Sequence, residues 1–163
     1  MIRLQFLRTV ALVLGIAFSW HAFAQATLTV TATVASTCLV TGGALVFGNY
    51  SGAQTDASTP VTATCTNGST AYILLSQGAN AASGSSDSLP LRQMAGPSSG
   101  VLSYGLFQNA GASTVWGNNT ASGKVVNGNG LLQTLTVYGR IPAGQYGAPA
   151  GLYTDTVQVN FTF

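Results

Sequence analysis

The sequence has very little charge and few of the side chains that carry out catalysis. Only 5% of the 163 residues are charged, and the single histidine, His21, lies near the start of the chain. Residues 25–163 contain no histidine and no glutamate, which excludes a Ser-His-Asp triad or a His-based acid–base pair there. The three aspartates, Asp56, Asp87 and Asp155, lie in separate segments without a supporting motif for a carboxylate pair. We therefore predict that the protein is not an enzyme, and that it has no cofactor, metal or small-molecule substrate.

Residues 25–163 also lack net charge, because Arg92, Lys124 and Arg140 balance the three aspartates. No basic patch exists in this part of the sequence to hold a nucleic acid or an anionic membrane. A secreted domain without net charge has little like-charge repulsion to keep monomers apart. This composition favours a subunit that packs against copies of itself.

The first 24 residues have the pattern of a secretory signal peptide. Basic residues precede an apolar stretch over residues 10–20, and Ala22-Phe23-Ala24 supplies small residues for cleavage before Gln25. A membrane anchor is the alternative, but the 16 residues from Thr9 to Ala24 fall short of the roughly 20 that span a bilayer. We predict a signal peptide over residues 1–24, secretion via the periplasm, and a final location at the cell surface.

Two cysteines, Cys38 and Cys65, remain in the exported part. An even number of cysteines in an oxidising compartment predicts a disulfide. A metal or redox site is the alternative, but it would call for histidines, further cysteines or close CxxC spacing, and the sequence has none of these there. On the chain-entropy model, a disulfide that closes this loop would stabilise the fold by roughly 3.5 kcal/mol.

Residues 26–34, ATLTVTATV, have the clearest strand pattern. Leu28, Val30, Ala32 and Val34 alternate with threonines, so such a strand has one apolar face and one hydroxyl face. Gly- and Asn-rich turns separate further short strands, which we predict at residues 44–47, 60–65, 71–76, 101–108, 123–126, 131–141 and 153–163. This spacing, without long helical periodicity, predicts an all-β sandwich or barrel.

The last predicted strand, residues 153–163, has a strongly apolar face. Val157, Val159, Phe161 and Phe163 share that face with Tyr153, and Asp155 is the polar exception. We expect the four apolar residues to lie in the core.

Seven elements in the same order resemble the spore coat protein U domain family, which includes the archaic (Csu-type) chaperone–usher pilins. The resemblance covers nearly the whole of residues 25–163, although Asn118 stands where an acidic residue is expected after Trp116-Gly117. The elements are the strand ahead of Ser36-Thr37-Cys38, Phe47-Gly48-Asn49-Tyr50, Ala63-Thr64-Cys65-Thr66-Asn67-Gly68, Leu102-Ser103-Tyr104-Gly105-Leu106-Phe107, Trp116-Gly117-Asn118-Asn119-Thr120, Val137-Tyr138-Gly139-Arg140 and Gly151-Leu152-Tyr153-Thr154-Asp155-Thr156-Val157.

The resemblance implies an incomplete immunoglobulin-like β-sandwich over residues 38–163, which lacks its final strand. It also implies that residues 25–37 form a donor segment, whose Leu28, Val30, Ala32 and Val34 complete another subunit. On the pattern alone, an ordinary first strand of its own sandwich is the alternative. The C-terminal strand is then expected to form an acceptor groove or a chaperone contact.

The implied function is a secreted structural subunit of a surface fibre (pilus) or coat, which supports adhesion or biofilm formation. Its expected partners are copies of itself or related subunits, a periplasmic chaperone and an outer-membrane usher. The alternative function is a monomeric secreted carbohydrate-binding or adhesin module. That alternative depends on Trp116, which lies in a Gly- and Asn-rich stretch and is a possible ligand contact, unless it is buried or covers an edge.

Overall fold

A computed structural model describes residues 24–163 of the chain. The predicted signal peptide therefore lies, apart from Ala24, outside the described residues. The described chain consists of the segment 24–33 and a compact unit over residues 34–163. Within residues 24–163, no helix has the length and apolar character needed to cross a membrane.

The unit 34–163 is built from eight strands. Residues 24–163 contain no α-helix, and one short 3-10 turn lies at Pro97–Ser99. The strands are β1 (Cys38–Thr41), β2 (Thr55–Cys65), β3 (Thr70–Leu75), β4 (Arg92–Ala95), β5 (Val101–Phe107), β6 (Lys124–Asn127), β7 (Leu132–Ile141) and β8 (Val159–Thr162).

The strands form two antiparallel sheets, of order β1-β2-β7-β5-β4 and β6-β3-β8. Alternate residues of both sheets, together with Trp116 from the segment between β5 and β6, supply one buried core. Its members are Cys38, Val61, Ala63, Cys65, Ala71, Ile73, Leu75, Leu102, Tyr104, Leu106, Trp116, Val126, Val137 and Ile141. The structure confirms the prediction of an all-β, immunoglobulin-like sandwich.

The structure also confirms the disulfide. Cys38 and Cys65 are bonded, and they face each other directly in the register of β1 and β2. Both residues are buried. The bond therefore joins the start of the first strand to the end of the second, at one end of the five-stranded sheet.

Several predicted strand positions are wrong or shifted. No strand is assigned to residues 24–37 or to residues 44–47. The predicted strand 153–163 is reduced to β8 and an isolated bridge between Thr154 and Ala95. The sequence analysis missed β1 and β4, because each is a strand of 4 residues that is defined by its pairing with a longer neighbour.

Candidate acceptor groove

A groove opens into the core between two extended segments of the unit 34–163. Residues 42–47, which follow β1, form one lip, and residues 153–159, which lead into β8, form the other. The groove has a volume of about 400 Å³. Its lining includes the core side chains Val61, Leu106 and Val137, so the groove reaches the interior of the sandwich.

The first lip forms because β1 cannot continue along β2. Thr66 N–H donates to the Thr37 carbonyl oxygen at 2.9 Å, and in an antiparallel ladder every second pair is bonded in this way. Thr41 pairs with Thr62 at the end of β1. Two residues further along, Gly43 and Pro60 would form the next hydrogen-bonded pair of the ladder. Proline has no N–H to donate. The chain therefore leaves β2 at this point.

Among residues 24–163, the part of the second lip next to β8 has an unpaired backbone edge, because β8 is the outer strand of its sheet. On one side, the carbonyl oxygens of Thr156 and Gln158 accept hydrogen bonds from Ala79 N–H and Ser76 N–H. Backbone groups alternate in direction along an extended chain, so the N–H and C=O groups of Val157 and Val159 point to the opposite side. They offer hydrogen bonds to an additional strand there.

The expectation that four apolar residues of the last strand lie in the core is only half right. Val157 and Val159 are partly buried against the core. Phe161 and Phe163 are 39% and 49% exposed, and their rings pack edge to face with centroids 5.7 Å apart. Phe161 shares the inward face of β8 with Val159, and it is exposed because no strand within residues 24–163 covers the sandwich at this point.

One charged group, the carboxylate of Asp155, lies in the wall of the groove. The Tyr104 hydroxyl donates to Asp155 Oδ2 at 2.7 Å, and the Asn80 backbone N–H donates to Asp155 Oδ1 at 3.1 Å. Burial and the hydrogen bond to Asp155 raise the pKa of Tyr104 well above its usual value. The carboxylate that breaks the apolar pattern of the last segment is therefore held by neighbours on two other segments.

A second hollow extends the groove at one end. It has a volume of about 750 Å³, and it shares Leu45, Phe47, Met94 and Tyr153 with the first groove. Gln145 braces its wall, because its side chain accepts from Ser103 N–H at 2.7 Å and donates to the Ser103 carbonyl at 2.9 Å. The sequence analysis missed Gln145, since an isolated glutamine in a Gly- and Ala-rich stretch carries no pattern.

The predicted donor residues lie in a segment to which no strand is assigned. Leu28, Val30 and Val34 are 88%, 82% and 82% exposed, and Ala32 is also exposed. The first strand of the sandwich begins at Cys38, after this segment.

The prediction of Trp116 as a possible ligand contact is wrong. The side chain has no exposed surface, and its Nε1 donates to the Ile73 carbonyl oxygen at 2.8 Å. An indole that is buried in the core and hydrogen-bonded there has no free face on which a sugar ring can stack. The carbohydrate-binding alternative therefore loses the residue on which it depended.

Arg92 is a buried cation that the sequence analysis did not single out. Its guanidinium donates to the carbonyl oxygens of Leu75, Ser76 and Trp116 at distances between 2.7 and 2.9 Å. Burial lowers the pKa of Arg92 to about 10, so the side chain stays protonated at neutral pH. It joins β4 of the larger sheet to the end of β3 in the smaller sheet. Among residues 24–163, no three His, Cys, Asp or Glu side chains cluster as ligands of a metal ion would.

Comparison with known proteins places this fold in a family. The family model of the Spore Coat Protein U domain matches residues 24–160. The chain belongs to the spore coat protein U domain family. Membership confirms the resemblance found in the sequence, and it identifies the chain as a structural protein and not an enzyme.

A curated relative and a solved structure are similar to this spore coat U domain chain. Protein U of Myxococcus xanthus is 37% identical over 155 residues, which cover 87% of this chain and 86% of the relative. The solved structure is the CsuC–CsuE chaperone–tip adhesion subunit pre-assembly complex from archaic chaperone-usher Csu pili of Acinetobacter baumannii. The similarity to it has a TM-score of 0.56 at 23% identity, and covers 80% of this chain and 40% of that chain. At this identity the match supports the fold, and the present chain spans about two fifths of the length of that neighbour.

Proposed function

We propose that this protein is a structural subunit of a bacterial surface fibre or coat that assembles by donor-strand complementation. In this assembly, residues 26–34 of one copy occupy the acceptor groove of the next copy or of a related subunit. The observation that carries the proposal is the groove itself, which reaches the core beside the unpaired edge of β8. A sandwich with such an opening is completed by one added strand.

The backbone of the donor segment suits this edge in length. The second lip, residues 153–159, spans about 20 Å at roughly 3.3 Å per residue. Residues 28–34, which carry the four apolar donor side chains, span the same length when extended. Each backbone hydrogen bond between such strands would contribute on the order of 1 kcal/mol.

The side chains of the donor segment suit the groove in polarity. Leu28, Val30 and Val34 are exposed to solvent in the single chain, and the groove is lined largely by apolar side chains. Burial of these three residues would contribute roughly 1.5–3 kcal/mol each before the cost of ordering the segment. The threonine face would point to solvent, as the outer face of an edge strand does.

The same chemistry accounts for the proposed partners and location. An isolated subunit with an open core and no net charge over residues 25–163 is prone to association, so it needs a chaperone that covers the groove before assembly. The Csu structure is named as a complex of a chaperone with a tip adhesion subunit. We propose a corresponding periplasmic chaperone and outer-membrane usher for this chain, with surface display that supports adhesion or biofilm formation. The signal peptide over residues 1–24 is part of this proposal.

The first experiment is electrophoresis in SDS without boiling, with full-length secreted protein and a variant that lacks residues 26–34. We expect a ladder of oligomers that collapses on boiling, and no ladder from the deletion. Val30→Asp and Thr31→Asp form a matched pair, because they place the same charge on opposite faces of the donor segment. Only Val30→Asp should abolish the ladder.

A complementation experiment tests the groove directly. The deletion variant, kept with its chaperone or refolded, is mixed with a synthetic peptide of residues 25–36. We expect the peptide to raise the thermal midpoint of the variant, and the same peptide with Val30→Asp to leave the midpoint unchanged. A ladder that persists in the deletion variant, or equal effects of both peptides, would overturn the proposal.

A further inference from the structure

The side chain of Thr66 binds the residues that directly precede β1. Thr66 Oγ1 accepts a hydrogen bond from Thr37 N–H at 3.1 Å. The same hydroxyl donates to the carbonyl oxygens of Ala35 and Thr37, which lie 3.3 Å and 3.2 Å away. The backbone N–H of Thr66 donates to the same Thr37 carbonyl at 2.9 Å. One side chain therefore attaches Ala35 and Thr37 to the end of β2.

Thr66 is itself held in a rigid turn. Its carbonyl oxygen accepts hydrogen bonds from the Ser69 hydroxyl at 2.6 Å and from Ser69 N–H at 3.1 Å. Ser69 and Gly68 are in turn bonded to the backbone of Gly128, on the loop between β6 and β7. The disulfide joins Cys38 and Cys65, the immediate neighbours of Thr37 and Thr66. The attachment point is therefore part of the sandwich itself.

We propose that Thr66 is a positioning residue that sets the joint between successive subunits. This inference rests on the proposed donor-strand assembly. Val34, the last apolar residue of the donor segment, is followed directly by Ala35, whose carbonyl is within reach of Thr66. The link between a donor strand seated in a neighbour and its own domain is then a single peptide bond. Such a short link restricts the angle between subunits and makes the fibre stiff and regular.

The test compares fibres of Thr66→Val and Thr66→Ser. Valine keeps the shape of threonine but cannot form the three side-chain hydrogen bonds, while serine keeps the hydroxyl. The control is Thr64→Val, an equal change two residues earlier, in β2, at a hydroxyl that takes no part in these bonds. Electron microscopy of the fibres measures the persistence length and the spread of the angle between subunits.

We expect all three variants to keep the heat-sensitive ladder, because none alters the donor residues or the groove. The persistence length of Thr66→Val should fall at least twofold, and Thr66→Ser and Thr64→Val should resemble the unaltered chain. Hydrogen exchange supplies a second readout, since the Thr37 amide should exchange about tenfold faster in Thr66→Val only. A ladder with unchanged stiffness and unchanged exchange in Thr66→Val would overturn the role of Thr66.

A second variant covers the case in which Thr66→Val does not fold. Insertion of two glycines between Val34 and Ala35 lengthens the joint and leaves the contacts of Thr66 intact. We expect this variant to keep the ladder and to lose stiffness as Thr66→Val does. Fibres of the insertion variant that are as stiff as those of the unaltered chain would overturn the inference. If the unaltered chain forms no ladder, both the proposed function and this inference fail. If a ladder forms but the variants are as stiff as the unaltered chain, only this inference fails.

Discussion

The hydroxyl of Tyr104, on β5, donates a hydrogen bond of 2.7 Å to the carboxylate of Asp155, on the lip of the groove. This bond fastens the lip to the five-stranded sheet, and the bonds from Asn80 fasten it to the loop that follows β3. It explains why a carboxylate interrupts the apolar face of the last segment. The carboxylate of Asp155 therefore holds the lip in position beside the outer edge of β8.

Tyr104→Phe should lower the free energy of unfolding by about 1.5–3 kcal/mol, because a hydrogen bond to a charged acceptor is lost in a partly buried place. Asp155→Ala removes the acceptor, and it should have a larger effect because it also removes the bonds from Asn80. The double variant should lose less than the sum of the two, since both changes remove the bond between Tyr104 and Asp155. Urea unfolding of the peptide-complemented subunit measures all three. Additive losses would contradict a direct coupling of Tyr104 and Asp155.

Trp116→Ala should be strongly destabilising, by about 3–5 kcal/mol, because it leaves a large cavity in the core and an unpaired Ile73 carbonyl. The matched control is Tyr146→Ala, since Tyr146 is also aromatic but is 80% exposed. That control should change stability by less than about 1 kcal/mol. Thermal unfolding followed by near-ultraviolet circular dichroism measures both. A small effect of Trp116→Ala, accompanied by loss of glycan binding, would revive the carbohydrate-binding alternative.

Arg92→Met should destabilise the subunit by on the order of 3 kcal/mol, since it leaves carbonyl oxygens of Leu75, Ser76 and Trp116 buried without donors. The control is Arg140→Met. Arg140 forms an ion pair with Asp56 at 2.7 Å, but this pair lies at the surface. Exposed ion pairs contribute about 0–1 kcal/mol, so the control should have a much smaller effect. Chemical denaturation compares the two, and equal losses would be inconsistent with the structural role of Arg92.

The stability of residues 25–163 should be nearly independent of pH between about 5 and 8, because this part of the chain has no His or Glu that titrates there. The hydrogen bond from Arg140 lowers the pKa of Asp56, and hydrogen bonds from Gln77 and Asn118 lower the pKa of Asp87. A lowered folded-state pKa stabilises the fold at a pH above the unfolded value of about 3.9.

Stability should therefore fall only when the pH drops below about 4 and through the folded pKa values of the two aspartates. Unfolding midpoints measured from pH 2 to pH 8 check this profile. Asp56→Asn together with Asp87→Asn should flatten the acid limb. A midpoint that shifts between pH 5 and pH 8 would contradict the account.

The strand pattern of the sequence was a reliable guide where a strand is long and one of its faces is buried. Residues 131–141 and 101–108 were predicted as strands because Gly- and Asn-rich turns bound them, and β7 and β5 lie there. Residues 44–47 are apolar throughout but form no strand, since Pro60 removes the hydrogen bond that would have continued the pairing. Pairing depends on what stands opposite, and a local pattern does not contain that information.

Composition and motif order alone determined the class of this protein: an all-β sandwich with one disulfide and no catalytic histidine or glutamate in residues 25–163. These properties follow from residue types and their alternation along the chain. The tertiary structure decided the burial of Trp116, the attachment of Asp155 to Tyr104, the guanidinium of Arg92 between the sheets, and the open edge beside Val157 and Val159. The first three are contacts between residues distant in sequence, and they are set by how the two sheets pack. The open edge depends on which strand is the outermost of its sheet.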